Sequence, residues 1–372
     1  MAAFAPGILR LVGIMVRYFV SGFAALALLF SLAGPAGAAD AQAATCHRGA
    51  GGLGALQAAL TQARFVAYHP TAQQMWYGHA DHADEASIEA DLKALRPWFN
   101  GLVTYGVTHG SERIADVAAK LGYRAIILGV WDPHNRTEID NALAAAARHP
   151  KLVVGLAIGN EVVLSGRGTW GDLSYALMRV RKRAPNLPLA ITEPFDKYLD
   201  DPEAGSTLSA MDFMLTNVHP IFQPWFRGAA PANWADFVGK VGTLLQAKFC
   251  GPVIVKETGV PTGPKALHYT PQMQAAFYQA LQKRVPRKSR LHFVYFTAFD
   301  QRWHTYDADP KTGPHPEEGF WGMMSETRKP KLFLRSLPKL TSPKTALPKN
   351  TTPKISIPKN TAKPAHGART GR

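Results

Sequence analysis

The sequence predicts a (β/α)8 barrel, and three observations carry that reading. Eight short runs rich in β-branched and aromatic residues alternate with longer amphipathic stretches. The alternation occupies about 270 residues, a usual size for such a barrel. Each run is nearly continuous in apolar character, as parallel strands covered on both faces require.

In chain order the predicted strands are Phe65–Tyr68, Gly101–Tyr105, Arg124–Leu128, Leu152–Ile158, Leu189–Thr192, Asp212–Val218, Val253–Val255 and His292–Phe296. Helical patterns lie between them over Ile88–Phe99, Ser111–Leu121, Glu138–Arg148, Asp172–Arg183, Asn233–Phe249 and Pro271–Arg284. In the second of these, Ile114, Val117, Ala118 and Leu121 form one stripe at helical spacing. Ser111 and Gly122 supply its start and stop signals. A doubly wound sheet is the structural rival. It would need a glycine-rich phosphate loop after the first strand, and Tyr68-His-Pro-Thr-Ala-Gln73 offers none.

The barrel is expected over residues 64–335, with other material on both sides. At the N-terminus, Arg10 and Arg17 precede an apolar run from Tyr18 to Ala33, followed by the small residues of Gly34–Ala39. That is the layout of a secretory signal, so residues 1–39 are expected to be removed on export to the periplasm or the extracellular space. The alternative is a retained membrane anchor, since Ile8–Ala33 is long enough to span a bilayer. Residues 40–63 then form a lead-in. Beyond Ser336, Pro338, Pro343, Pro348, Pro353 and Pro358 recur every five residues, each followed by lysine. Such a repeat supports neither helix nor core and predicts an extended, disordered tail over 336–372.

Net charge is +15, a value that on its own points to nucleic acid, membranes or acidic polymers. Its distribution argues otherwise for the barrel. From Leu337 onward there are six lysines, two arginines and no acid, which is +8, leaving +7 for the preceding 336 residues. A nucleic-acid surface is therefore not expected. The tail is either a solvated spacer or a tether to an anionic envelope polymer or membrane surface. Cys46 and Cys250 are the two cysteines, and in an exported chain they either pair or remain free. The sequence does not define an oligomeric state.

Working residues of a barrel gather at the C-terminal ends of its strands and in the following loops. The acids at those positions are Glu161, Glu193, Glu257 and Asp300. Strands four and seven face each other nearly across the mouth, so Glu161 and Glu257 can flank one bond held between them. Glycoside hydrolysis needs such a pair, one carboxyl to protonate the leaving oxygen and one to attack or to activate water. The acid has to stay protonated near neutrality, which partial burial and a neighbouring negative charge favour. Asn160, beside Glu161, is placed to donate to a sugar 2-hydroxyl. Strand alternation predicts that Lys256 points away from the mouth if Glu257 points into it.

Gly159-Asn-Glu-Val162 together with Glu257-Thr-Gly-Val-Pro-Thr262 resembles glycoside hydrolase family 17, the β-1,3-glucanases and related bacterial glucosyltransferases. Further pieces in family order are Arg64–Pro70, Val103–Val107, Thr192-Glu-Pro194, Val218-His-Pro220, Ala298–Trp303 and Gly319-Phe-Trp-Gly322. The resemblance implies a retaining enzyme, with Glu161 as acid/base and Glu257 as nucleophile. It also brings His219, Glu193 and Asp300 into the expected substrate site. One departure stands out: the family usually has Trp after Glu-x-Gly, where this chain has Val260, which bears on subsite shape.

Sugar rings stack on aromatic faces, so Tyr68, Tyr105, Trp131, Trp225 and Trp303, which end or follow strands, are the expected subsite walls. His79 and His82 lack a third ligand at a recognisable spacing, and no metal or cofactor is expected. The leading expectation is hydrolysis of β-1,3-linked glucan through a glucosyl-enzyme intermediate. The same two glutamates equally serve a transglucosylase remodelling periplasmic glucan. A third reading is an inactive glucan-binding envelope protein.

Overall fold

The computed structural model describes residues 51–76, 79–306, 308–309 and 313–341. Eight parallel strands lie side by side in chain order: β1 Phe65–Tyr68, β2 Gly101–Thr104, β3 Ala125–Val130, β4 Val153–Asn160, β5 Leu189–Pro194, β6 Met214–Asn217, β7 Val253–Glu257 and β8 Leu291–Phe293. The ring is brought together by a parallel bridge between Val66 and Tyr295, where the Ala67 N–H donates to the Tyr295 carbonyl at 2.9 Å. This is the expected (β/α)8 barrel.

Ten α-helices accompany the strands: α1 Leu53–Gln62, α2 Glu85–Leu95, α3 Ile114–Lys120, α4 Arg136–Arg148, α5 Trp170–Arg183, α6 Phe195–Asp200, α7 Ala204–Ala210, α8 Pro231–Lys248, α9 Pro271–Arg284 and α10 Leu332–Ser336, counted among the described residues. Their starts follow from side chains that accept the orphan N–H groups of a first turn. Asp84 caps α2, Asn135 caps α4 and Thr270 caps α9. Thr169 and Asp172 form a reciprocal capping box on α5. Helices α8 and α9 begin with proline, whose missing N–H costs nothing there.

Alternation along the strands splits the core into two layers. Phe65, Val103, Ile127, Leu215 and Ile254 point into the barrel, whereas Val66, Leu102, Ile126, Met214 and Val255 meet the helices. Helix α1, which the sequence reading left inside the lead-in, has a structural task. Leu56 and Leu60 join the interior layer and close the N-terminal end of the barrel. The entry to α1 is pinned by the Gly52 N–H donating to the Asn186 carbonyl at 2.8 Å. A β-carbon at Gly52 would lie 2.6 Å from that oxygen, so the approach needs glycine.

Tyr68, expected as a sugar-stacking wall, belongs to the outer layer instead. It is fully buried, and its hydroxyl donates to Asp91 of α2 at 3.0 Å. Asp91 also accepts from the Thr71 N–H, the Thr71 hydroxyl and Arg328, so it ties β1, α2 and the segment after β8 together. Trp225 likewise turns from the mouth and packs edge-on against Phe237 of α8, with ring centroids 5.3 Å apart. Tyr68 ends β1 and Trp225 lies in the loop after β6, and both side chains pack on the helix side.

Residues 1–39, the expected export signal, lie outside the described residues, as do Cys46 and the Pro-Lys repeat from Ser342 onward. Cys250 is disulfide-bonded. Contacts divide the chain after Lys339, and the barrel falls wholly within the first part. Among the described residues, no helix is long and apolar enough to cross a membrane.

Tyr68→Phe deletes one hydrogen bond to a buried carboxylate without opening the core. It is expected to lower unfolding stability by about 1–2 kcal/mol in urea titrations while leaving turnover unchanged.

Candidate active site

At the C-terminal end of the barrel, Glu161, His219, Phe222, Glu257, Phe296, Glu318 and Trp321 line a small cleft. The two glutamates reach it by different local devices. Glu161 follows β4 with a left-handed backbone, φ 51°, and its N–H donates to the Thr192 carbonyl of β5 at 2.8 Å. The left-handed residue turns the chain abruptly off the strand and over the mouth, at a cost on the order of 1 kcal/mol for a non-glycine residue. Its Oε1 accepts from the Asn217 amide at 2.7 Å, so the end of β6 orients the carboxyl.

Glu257 ends β7, and it reaches the cleft through a register shift. Thr216 of β6 pairs with Val255, but the next residue, Asn217, pairs with Glu257. Lys256 is the extra residue of a β-bulge, and strict alternation fails across it. Lys256, two residues past inward-facing Ile254, holds its ammonium inside the mouth, 2.5 Å from Asn160 Oδ1, 3.6 Å from Glu257 Oε1 and 3.9 Å from the centre of the Tyr105 ring, and the bulge brings Glu257 in beside it. The expectation that Lys256 points away is therefore wrong, and the bulge is the reason.

The electrostatics around Glu257 oppose one another. Burial pushes its carboxyl up, while His219, the Lys256 ammonium and the Tyr105 hydroxyl stabilise the ionised form and bring it below its ordinary value. Nε2 of His219 lies 3.8 Å from Oε2 of Glu257. The His219 ring is held edge-on by Phe222, Phe296 and Trp321 at 5.2–5.5 Å. Burial, followed by the negative charges of Glu257 and Glu161, drives the Tyr105 hydroxyl well above its ordinary value, so it stays a donor.

The remaining expected residues separate into two groups. Asn160, Tyr105 and His219 join the glutamates. Trp131 lies beside them, with the Arg167 guanidinium 4.8 Å over its ring, and Arg167 also donates to the Asn160 carbonyl. Trp303 faces His69 at 5.9 Å, and His69 in turn meets Tyr105 at 6.5 Å. Glu193 and Asp300 do not line the cleft. Glu193 is fully buried and accepts from the Val163 and Leu164 N–H groups, holding the loop that carries Glu161. Burial raises its carboxyl to about 7. Asp300 accepts from the Gly322 N–H and pairs with Lys331.

Phe222, Phe296, Glu318 and Trp321 were not singled out as site residues from sequence. Trp321 lay within a quoted motif, but its place in the cleft depends on a loop returning after β8. A β-carbon at Gly259 would lie 3.3 Å from the Trp321 ring, so the indole covers the turn beside buried Val260. An aromatic wall thus stands next to the position where the resemblance led one to expect tryptophan. Among the described residues, no group of three or more His, Cys, Asp or Glu side chains is placed to hold a metal ion.

A parallel barrel with two carboxyl side chains brought from opposite strands into one cleft is the architecture of a glycoside hydrolase. The family model of the BtgE/BtgC glycoside hydrolase domain matches residues 66–322, and the chain belongs to that family. No curated protein matches it in sequence. Its fold is similar to a glycoside hydrolase family 17 β-1,3-glucanosyltransferase from Rhizomucor miehei, with 21% identity, a TM-score of 0.55 and coverage of 73% of this chain and 96% of that one. An active-site mutant of the Rhizomucor miehei β-1,3-glucanosyltransferase in complex with laminaritriose gives 19% identity, a TM-score of 0.55 and the same coverage. GH5_18 from Streptomyces cattleya, in complex with Manb1-4GlcNAc, gives 15% identity, a TM-score of 0.52 and coverage of 74% and 79%. These likenesses concern the fold.

Glu193→Ala would leave two backbone N–H groups of the Glu161 loop without their acceptor. A loss of about 2–4 kcal/mol in unfolding free energy is expected, measured by urea titration at pH 6.

Proposed function

We propose that the chain is a retaining glycosidase acting on β-1,3-linked glucan, with Glu161 as acid/base and Glu257 as nucleophile. One observation carries the division of roles: Lys256, His219 and Tyr105 gather around Glu257 and favour its ionised form, as a nucleophile requires. In the first step a Glu257 oxygen bonds to the anomeric carbon as the glycosidic C–O bond breaks, and Glu161 gives its proton to the leaving oxygen. In the second, an incoming hydroxyl gives its proton to Glu161 and bonds to the same carbon, releasing Glu257. The aromatic rings of Phe222, Phe296 and Trp321 supply apolar walls for a pyranose.

The incoming hydroxyl belongs to water in hydrolysis and to a second sugar in transglucosylation. The laminaritriose bound by the Rhizomucor miehei relative supports a β-1,3-glucan substrate, and that relative's glucanosyltransferase activity supports the transfer reading alongside hydrolysis. The apolar run before Ala39 and the disulfide-bonded Cys250 support an exported protein working in an oxidising compartment.

Chromatography of products from reduced laminari-oligosaccharides tests the reading. Shorter products alone indicate hydrolysis, and products longer than the substrate indicate transfer. Glu161→Gln and Glu257→Gln are each expected to lower kcat by about a thousandfold or more, and undiminished turnover in either overturns the assignment. A pH effect accompanies the Glu257 role. The nucleophile works above its pKa and fails as pH falls through it, so Tyr105→Phe, which removes a group favouring ionisation, moves the acidic limb of kcat/KM to higher pH.

A further inference from the structure

Lys256 is only 1% exposed, and the reaction above gives it no bond to make or break. Its placement nevertheless constrains a neighbour. A lysine ammonium has donors and no acceptor, so the arm of the Asn160 amide that meets it at 2.5 Å has to be the oxygen. The amide therefore cannot flip. Its nitrogen, Nδ2, is fixed on the other arm, buried and without a hydrogen-bond partner among the described residues. A buried donor left unpaired is destabilising, and a bound hydroxyl would satisfy it.

We propose that Lys256 is a positioning residue: by holding Asn160 Oδ1, it presents Nδ2 to the 2-hydroxyl of the β-glucosyl unit bound between Glu161 and Glu257. The inference rests on the glycosidase reading and adds to it a determinant of the sugar recognised. Alternation from inward-facing Ile254 carries the Lys256 side chain into the mouth, and the β7 bulge is what sets Glu257 beside it rather than on the helix side. The ammonium is kept in place by the carboxylates of Glu257 and Glu161 and by the face of Tyr105.

The test compares 4-nitrophenyl β-laminaribiosides whose reducing-end unit is glucose or 2-deoxyglucose, using the full chain. The intrinsic lability of the deoxy sugar cancels when the kcat/KM ratio of the two substrates in a variant is divided by that in the wild type. Lys256→Met, which keeps the stem and removes the donor, is expected to lower the preference for the 2-hydroxy substrate by about 10- to 100-fold. Lys256→Leu carries the same expectation should the methionine variant fail to fold. Asn160→Ala is expected to lower the preference similarly, and the double variant no further, because both act through one hydrogen bond. A wild-type ratio in a folded Lys256 variant with reduced activity, or additive losses in the double variant, overturns the proposal and leaves the glycosidase reading intact. Absence of turnover of either substrate by the wild type overturns both.

Discussion

The register shift between β6 and β7 is the constraint on which the active site depends. Without it, Lys256 and Glu257 would point to opposite faces of the strand, and only one of them could enter the mouth. With it, a carboxylate and an ammonium lie side by side in a buried place. Neither would be tolerable there alone, since an unpaired buried charge is costly. The rest of the constellation settles around that pair. Asn160 accepts from the lysine, Tyr105 lies beneath it, and His219 approaches the glutamate from the loop after β6.

Each strand neighbouring the pair contributes something of its own. The left-handed turn at Glu161 is made affordable by contacts on both sides, from Thr192 of β5 to its N–H and from Asn217 of β6 to its carboxyl. Glu193 secures the loop behind that turn. The aromatic group of His219, Phe222, Phe296 and Trp321 then fixes the far wall, drawing residues from the loops after β6 and β8. These are connections between segments distant in sequence, which is how a barrel mouth acquires rigidity from short strands.

That pattern also explains what could be read from the chain without a structure. All eight strands were legible, because burial on both faces leaves an apolar run that needs no knowledge of partners. Glu161 and Glu257 were legible because strand ends in a barrel converge on one place. Direction was not. Tyr68, Glu193, Trp225 and Asp300 sit at or just beyond strand ends as expected, yet their side chains serve the packing or the loops. Lys256 shows the reason most plainly: period-two alternation holds only while the register holds, and a bulge leaves no mark in local composition. Helix α1 was missed for another reason. Its entry residue Gly52 makes no side-chain cap, and its identity as a plug depends on Asn186 and the barrel interior.

Helix α1 has a temporal consequence as well. It emerges before any strand, but the surfaces that receive Leu56 and Leu60 are contributed by strands from β1 through β8. Its anchoring carbonyl, at Asn186, arrives only with the fifth strand. During synthesis this short apolar helix therefore waits, unpartnered, while most of the ring is made behind it. The first helix of the barrel to be synthesised is thus among the last to complete its packing.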